Sequence, residues 1–388
     1  MAKKLISVWL SLTVLLFSTI TIYAEEDIVQ GQFLNRTIDI NGNRIENYYL
    51  ENPVFLYQGT AYLPLTGELG DLLGFAVDMD QESRTLTLTK TDPIRTSLQE
   101  EVLKSDLTCP PAKVVKDIDV VIKAVESRRR PNLPVSLQGI SATAADIDIG
   151  GQLTSMRRAE ADTMGIPVFA QESLDKETYS ILMANDVYYV PVRALTGESC
   201  FGWNLLFDDY TGLYISTDPE VPVNAYFDRA ESDYNRGLAQ YIVSRNSAIS
   251  IDKATMLVFL FRHEAKVNDV DEILLMAMAQ KESTFRTDAV GGTAIGLMQI
   301  TVGTAARYGI SKDQLYDPHT NIEFGAKYIG DKLDHYDDKV IALTAYNAGG
   351  AAISRGSYTT RYAGRITDAE ASIRDFLVNK GFGLGSGI

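Results

Sequence analysis

The last third of the chain repeats apolar residues at helical spacing, whereas the region before it alternates. Tyr226, Ala230, Tyr234, Leu238 and Ile242 recur every four positions over 224–245, the stripe of a helix that buries one face. Ser250 reads as the N-cap of a helix over 253–265, and Asp271-Glu272 begin another over 273–282, where early acids suit the positive end of the helix dipole. Leu274, Leu275, Ala277 and Met278 make that second helix apolar nearly all round, so it is expected to be buried. Ser311 with Gln314 reads as a capping box for a short helix, and further helices are expected near 321–336 and 339–347. No sustained alternation follows residue 220, so residues 224–380 are expected to form an all-α domain.

Upstream the period changes to two. The stretch 85–89 alternates as a half-buried strand does. Two segments about 127 residues apart share one pattern. The first runs Ala61-Tyr62-Leu63-Pro64-Leu65, Leu72-Leu73-Gly74-Phe75, Val77-Asp78-Met79-Asp80, then 85–89; the second runs Tyr188-Tyr189-Val190-Pro191-Val192, Phe201-Gly202-Trp203, Leu206-Phe207-Asp208, then Leu213-Tyr214-Ile215-Ser216. Each reads strand, short helix, Gly, strand, acidic turn, strand. The expectation is a β-rich α+β region over 25–217, with half-motifs at 33–90 and 180–217 and an insert at 91–179. Within the insert, Pro110-Pro111 breaks the chain and Arg128-Arg129-Arg130 reads as a solvated helix end. A linker at 218–223 joins the two regions, and the Gly-rich 381–388 reads as a flexible tail.

At 388 residues the chain is long enough for two or three domains. A hydrophobic content of 45% and a charged content of 22% are those of globular protein. The net charge of −15 argues against nucleic acid as a partner. Residues 1–24 read as a secretory signal, with Lys3 and Lys4 before an apolar run and Ala24 before Glu25-Glu26-Asp27; an uncleaved membrane anchor is the alternative. The expected location is outside the cytoplasmic membrane, secreted or in the cell envelope. Export permits a disulfide between Cys109 and Cys200, the only cysteines, but spacing does not show whether they meet. His263-Glu264 begins a zinc-protease helix motif, yet its second His position is Val267. No metal and no cofactor are expected.

Candidate chemistry centres on Glu282 in Ala279-Gln280-Lys281-Glu282-Ser283. Gly296-Leu297-Met298-Gln299 and Ala345-Tyr346-Asn347-Ala348-Gly349 follow. A carboxyl at the C-terminal end of a buried helix meets the negative end of the dipole, and apolar surroundings also disfavour its charge. A raised pKa suits a general acid. By itself Glu282 would read as a surface residue at a helix end. The order and spacing of the three pieces resemble the Slt-type lytic transglycosylases, goose-lysozyme-like enzymes that cleave peptidoglycan, over roughly residues 235–370.

That resemblance implies a lysozyme-like α fold and a carbon–oxygen lyase that cuts the MurNAc-GlcNAc β-1,4 bond with one Glu, leaving 1,6-anhydroMurNAc ends. It implies Glu282 as catalytic acid/base and Ser283 hydrogen-bonding near it. Gly296, Met298 and Gln299 would line the glycan cleft, Tyr346 would bond the carboxyl, and Asn347 would bond sugar hydroxyls or the acetamido group. Tyr362 is a further substrate-binding candidate. The implied partner is the peptidoglycan glycan strand. The sequence departs from the family at the short loop Gly291-Gly292-Thr293-Ala294, at Val302 where Pro is frequent, and at Thr359-Thr360-Arg361-Tyr362, which lacks an acidic member. The two upstream half-motifs resemble the copper amine oxidase N-terminal-like domain, a stalk module that carries no copper. No histidine precedes His263, so copper has no imidazole ligand here. A cell-wall or surface protein is a candidate partner for this stalk. Two alternatives stay open: a muramidase of the same fold, with Asp288 as the nearest second acid, and a non-catalytic wall-binding scaffold.

Overall fold

A computed structural model describes residues 28–47, 50–95, 111–115, 119–123, 140–143, 180–196 and 200–383. The expected signal at 1–24, Cys109, the basic triplet and residues 384–388 lie outside these described residues.

The β-rich region is two interlocked copies of one unit. The first copy runs β2 (Gln32–Phe33), β3 (Thr37–Ile40), β4 (Asn43–Glu46), β5 (Phe55–Tyr57), β6 (Thr60–Pro64), α1 (Gly67–Leu73), β7 (Phe75–Asp80) and β8 (Thr85–Lys90), after a short β1 (Ile28–Val29). The second runs β9 (Ala112–Val115), β10 (Asp119–Lys123), β11 (Ile140–Thr143), β12 (Ile181–Ala184), β13 (Val187–Pro191), a 3-10 turn at Val192–Leu195, β14 (Asn204–Asp208) and β15 (Gly212–Ser216). One sheet has the order β1-β9-β12-β13-β6-β5-β2, and its centre is the antiparallel pairing of Val190 with Leu63. The other two sheets, β11-β10-β8-β7 and β4-β3-β15-β14, exchange hairpins between copies: β10 lies parallel to β8, and β3 parallel to β15. Part of the segment read as an insert therefore supplies strands β9, β10 and β11, the counterparts of β2, β3 and β4. Short strands separated by long connections hide that equivalence in the sequence.

Local chemistry explains the hairpins. Asn41-Gly42, Gln58-Gly59 and Asn185-Asp186 each put two consecutive residues at positive φ, the two-residue turn that matches strand twist. A shared apolar core between the sheets includes Ile38, Leu63, Leu88, Val190, Trp203 and Ile215. Phe75 and Trp203, which follow Gly74 and Gly202 in the two copies, meet there at 6.2 Å.

The C-terminal region is helical: α2 (Arg229–Arg245), α3 (Ile251–Val267), α4 (Glu272–Ser283), α5 (Val302–Ala306), α6 (Pro318–His335), α7 (Lys339–Ala348), α8 (Gly350–Ser354) and α9 (Arg361–Asn379). Asp228, Ser250, Asp271, Asp317 and Asp338 each cap a helix by accepting from a first-turn amide. Ser311 and Gln314 form the reciprocal capping box, at 3.3 and 2.9 Å. The all-α expectation needs one correction. Between α4 and α5 lies a small sheet of β16 (Val290–Gly291), β17 (Ala294–Ile295) and β18 (Ile300–Thr301). Two-residue strands are too short to show alternation. At the start of the expected tail, Phe382 packs on the helical core and under Arg236.

The two regions pack against each other. Phe259 of α3 lies on an aromatic cluster of the large sheet that includes Phe55, Tyr62 and Tyr189. Glu231 of α2 accepts from Arg44 of β4 and from Arg262 of α3, and Ser232 donates to Asp208 of β14 at 3.0 Å. Arg262 also donates to Asn235, whose amide reaches the Tyr210 carbonyl at 2.9 Å. Among the described residues no helix is long and apolar enough to cross a membrane.

Candidate active site

Helix α4 is buried continuously from Ile273 to Ala279, so its axis runs through the helical core. It ends abruptly. Thr284 and Phe285 both take positive φ, 53° and 60°, a costly conformation for non-glycine residues. Phe285 is fully buried beside Phe261, and that packing holds the turn. The last turn therefore lifts Glu282 out of the core to a half-buried position.

Burial raises the Glu282 pKa above the ordinary carboxylate value, because the charged form loses hydration. A hydrogen bond from Tyr362 and the charge of Arg365 pull the other way without reversing the shift. Tyr362 Oη donates to Glu282 Oε1 at 2.7 Å. Tyr362 and Arg365 are one turn apart on α9, a helix that the sequence reading did not delimit. Burial and the nearby Glu282 raise the pKa of the Tyr362 and Tyr346 phenols, so both remain neutral donors at physiological pH.

The structure reassigns several expected roles. Tyr346 does not bond the carboxyl; its hydroxyl donates to the Met298 carbonyl at 3.0 Å. Its ring stacks on Tyr362 at 6.5 Å and 11°, so it supports the residue that does bond Glu282. Ser283 is buried and its hydroxyl donates to the Ala279 carbonyl at 3.0 Å, a back-bond within the helix rather than a contact for substrate. Met298 is fully buried, with its side chain against Gly325; the adjacent helix comes so close that the methionine is core and not cleft surface. Gly296 has φ +80°, and a Cβ there would lie 2.2 Å from Asn321 Nδ2. The absent Cβ is what lets Asn321 approach so closely.

Gln299 keeps a position from which it could meet a ligand. It is half-buried, and its Nε2 donates to the carbonyls of Ala289 (3.2 Å) and Gly296 (3.0 Å). Asn347 is exposed near the C-terminal end of α7. Asp288 is exposed and is not among the groups that act on the Glu282 carboxyl. Among the described residues no cluster of His, Cys, Asp and Glu is arranged to hold a metal. The arrangement is one carboxyl with raised proton affinity, held at one oxygen by a neutral phenol. Such a group keeps its proton to higher pH than an ordinary carboxyl does and can take it back, as a general acid and base must.

Residues 259–366 match the family model described as the transglycosylase SLT domain. The chain is 34% identical over 99 residues to the transglycosylase of Enterobacteria phage PRD1, covering 25% of this chain and 37% of that protein. It is 37% identical over 98 residues to membrane-bound lytic murein transglycosylase F of Pseudomonas putida, covering 23% and 20%. It is 32% identical over 114 residues to membrane-bound lytic murein transglycosylase C of Yersinia enterocolitica, covering 25% and 32%. The chain thus spans well under half the length of these relatives. The 70 kDa soluble lytic transglycosylase SLT70 from Escherichia coli aligns with a TM-score of 0.25 at 24% identity, over 40% of this chain and 29% of that chain.

Proposed function

We propose that residues 259–366, which match the family model described as the transglycosylase SLT domain, cleave the β-1,4 bond between N-acetylmuramic acid and N-acetylglucosamine in peptidoglycan with Glu282 as the single acid and base. The observation that carries this reading is the Glu282 carboxyl itself, raised in pKa by burial and held by Tyr362 at 2.7 Å. With Oε1 engaged, Oε2 carries the proton to the glycosidic oxygen, and the C1–O4 bond breaks. The resulting carboxylate then takes the proton of the C6 hydroxyl of the same muramic acid. That oxygen closes on C1, so a C1–O6 bond forms, no water is consumed and a 1,6-anhydro end results. The substrate's acetamido oxygen supports C1 meanwhile, in place of a second carboxylate. Tyr362 steadies the carboxylate form between the two transfers. The nucleophile is already part of the bound sugar, which favours ring closure.

A muramidase needs a second acid that positions water on the opposite face of the sugar. The groups that act on Glu282 are Tyr362 and Arg365, with no carboxylate among them, which favours the single-acid route. The substrate places the protein in the cell envelope, in keeping with the expected export signal, and the β-rich region docks beside the enzyme domain as a wall- or partner-facing module. The deciding experiment is digestion of purified peptidoglycan with mass analysis of the muropeptides. Anhydro ends are expected. Products heavier by about 18 Da, one water, would indicate the muramidase, and glycan binding without any product would indicate a scaffold.

A further inference from the structure

We propose that Asn321 is a positioning residue for this site, a role that rests on the reading of Glu282 as the acid. Asn321 lies in the first turn of α6 and is 1% exposed. Its backbone amide serves the helix, donating to the Asp317 carbonyl. Its side chain instead reaches out of α6 to the loop that follows Glu282. Oδ1 accepts from the Met298 amide at 2.8 Å, and Nδ2 donates to the carbonyls of Ile295 at 2.9 Å and Leu315 at 2.8 Å. One acceptor and both donors are in use, a set that neither aspartate nor serine reproduces.

The loop is shaped to admit this clamp. A Cβ at position 296 would lie 2.2 Å from Asn321 Nδ2 and 2.6 Å from the Leu315 carbonyl, so glycine is what lets the amide seat. The peptide units about Met298 are then held from two sides, the N–H by Asn321 and the C=O by Tyr346 Oη at 3.0 Å. The next residue, Gln299, is held at a positive φ of 48°. Tyr346 stacks on Tyr362, and Tyr362 bonds Glu282. Asn321 therefore sits at the base of a continuous series of contacts that sets Gln299 on one side and the acid on the other. It touches no reacting atom, and it acts by removing slack from groups that do.

The test compares wild type, Asn321→Ala and Asn321→Asp on uncrosslinked glycan strands, with amide exchange followed at Met298. Asn321→Asp keeps the acceptor for Met298 but sets an oxygen against the Ile295 and Leu315 carbonyls, whereas Asn321→Ala removes the whole clamp, so kcat is taken per folded molecule in both. Expected is faster exchange at Met298 in Asn321→Ala, and in both variants a kcat per folded molecule lowered on the order of tenfold to a hundredfold, because small misplacements at a reacting centre cost this much. KM should change by less than about threefold, since contacts survive while alignment is lost. A purely structural asparagine would lower the melting temperature and leave kcat per folded molecule within about twofold of wild type; that result in either variant overturns the proposal. A wild-type protein that releases no product overturns instead the functional reading beneath it.

Discussion

Glu231 at the junction of the two regions and Glu282 at the site are both largely removed from water, yet their proton affinities move in opposite directions. For each, burial is the strongest influence and raises the pKa. At Glu231 the contacts with Arg44 and Arg262 outweigh it, and the pKa ends below the ordinary value. At Glu282 the counterweights are one phenol hydrogen bond and Arg365, which forms no ion pair with it among the described residues, and the pKa ends above. Burial therefore does not by itself make an acid. What separates the two is a guanidinium in contact: Glu231 has Arg44 from the β-rich region and Arg262 from α3 and is a fixed charge at the junction, while Glu282 has neither and keeps a movable proton.

The largest effect that would break this contrast is at Glu282. Glu282→Gln should fold and lose cleavage by roughly 10²–10⁴-fold, the range for a general acid, as read by muropeptide release. Its stability should also carry the sign of the shift. A carboxyl whose folded pKa is raised contributes most below its unfolded pKa, and that contribution is lost as pH rises through the folded pKa. The glutamine variant escapes that loss, so its melting temperature should match wild type in acid and exceed it at neutral and alkaline pH. Retained cleavage, or a stability difference confined to acid, would overturn the assignment.

Glu231→Gln should show the mirror image. Its lowered folded pKa means stability present above the unfolded pKa and lost as pH falls through the folded one. Replacing it leaves Arg44 and Arg262 facing a neutral amide, at a cost of about 2 kcal/mol at neutral pH. Denaturant unfolding should show the gap closing in acid. Tyr362→Phe comes next in size. Loss of the hydrogen bond to the charged form raises the Glu282 pKa further, so the alkaline limb of kcat/KM should move to higher pH, with about a tenfold fall in the maximum. A limb that moves to lower pH would mean that Tyr362 opposes ionisation, contrary to the geometry.

Much of this was legible in the chain. The apolar stretch 273–279 with a glutamate three residues on announced a buried helix ending in an acid, and Ser250 and Asp271 marked the starts of two helices. The paired half-motifs announced two related β units. What could not be read there depends on tertiary approach. Met298 belongs to a motif associated with the cleft, but Gly325 brings α6 against it and makes it core. Tyr346 and Tyr362 are chemically equivalent in sequence, and only the crossing of α7 and α9 decides which phenol reaches Glu282. The exchange of hairpins β3–β4 and β10–β11 between the copies is a pairing at long sequence separation, which no local period encodes.

The smallest effect sharpens the junction half of the contrast by separating its two arginines. Arg44 is 49% exposed and Arg262 is 24% exposed. Arg262 donates to Glu231 and to Asn235, both at 2.8 Å, and lies over the Tyr234 ring at 5.6 Å. The contacts on Arg44 beyond Glu231 are weaker, with Asp39 and Tyr214 acting through space. Removing Arg44 leaves Glu231 still paired, so Arg44→Ala should cost only about 0.5 kcal/mol, the scale of a half-exposed ion pair. Salt screens such a pair, so the difference in melting temperature from wild type should shrink in 1 M salt while cleavage is unchanged. A loss of about 2 kcal/mol that persists in high salt would mean that Arg44 is the main anchor of Glu231, because an ion pair on the scale of surface pairs cannot produce it. Such a loss would accord with the Glu231 pKa, which the hydrogen bond from Arg44 lowers more than either contribution of Arg262 does.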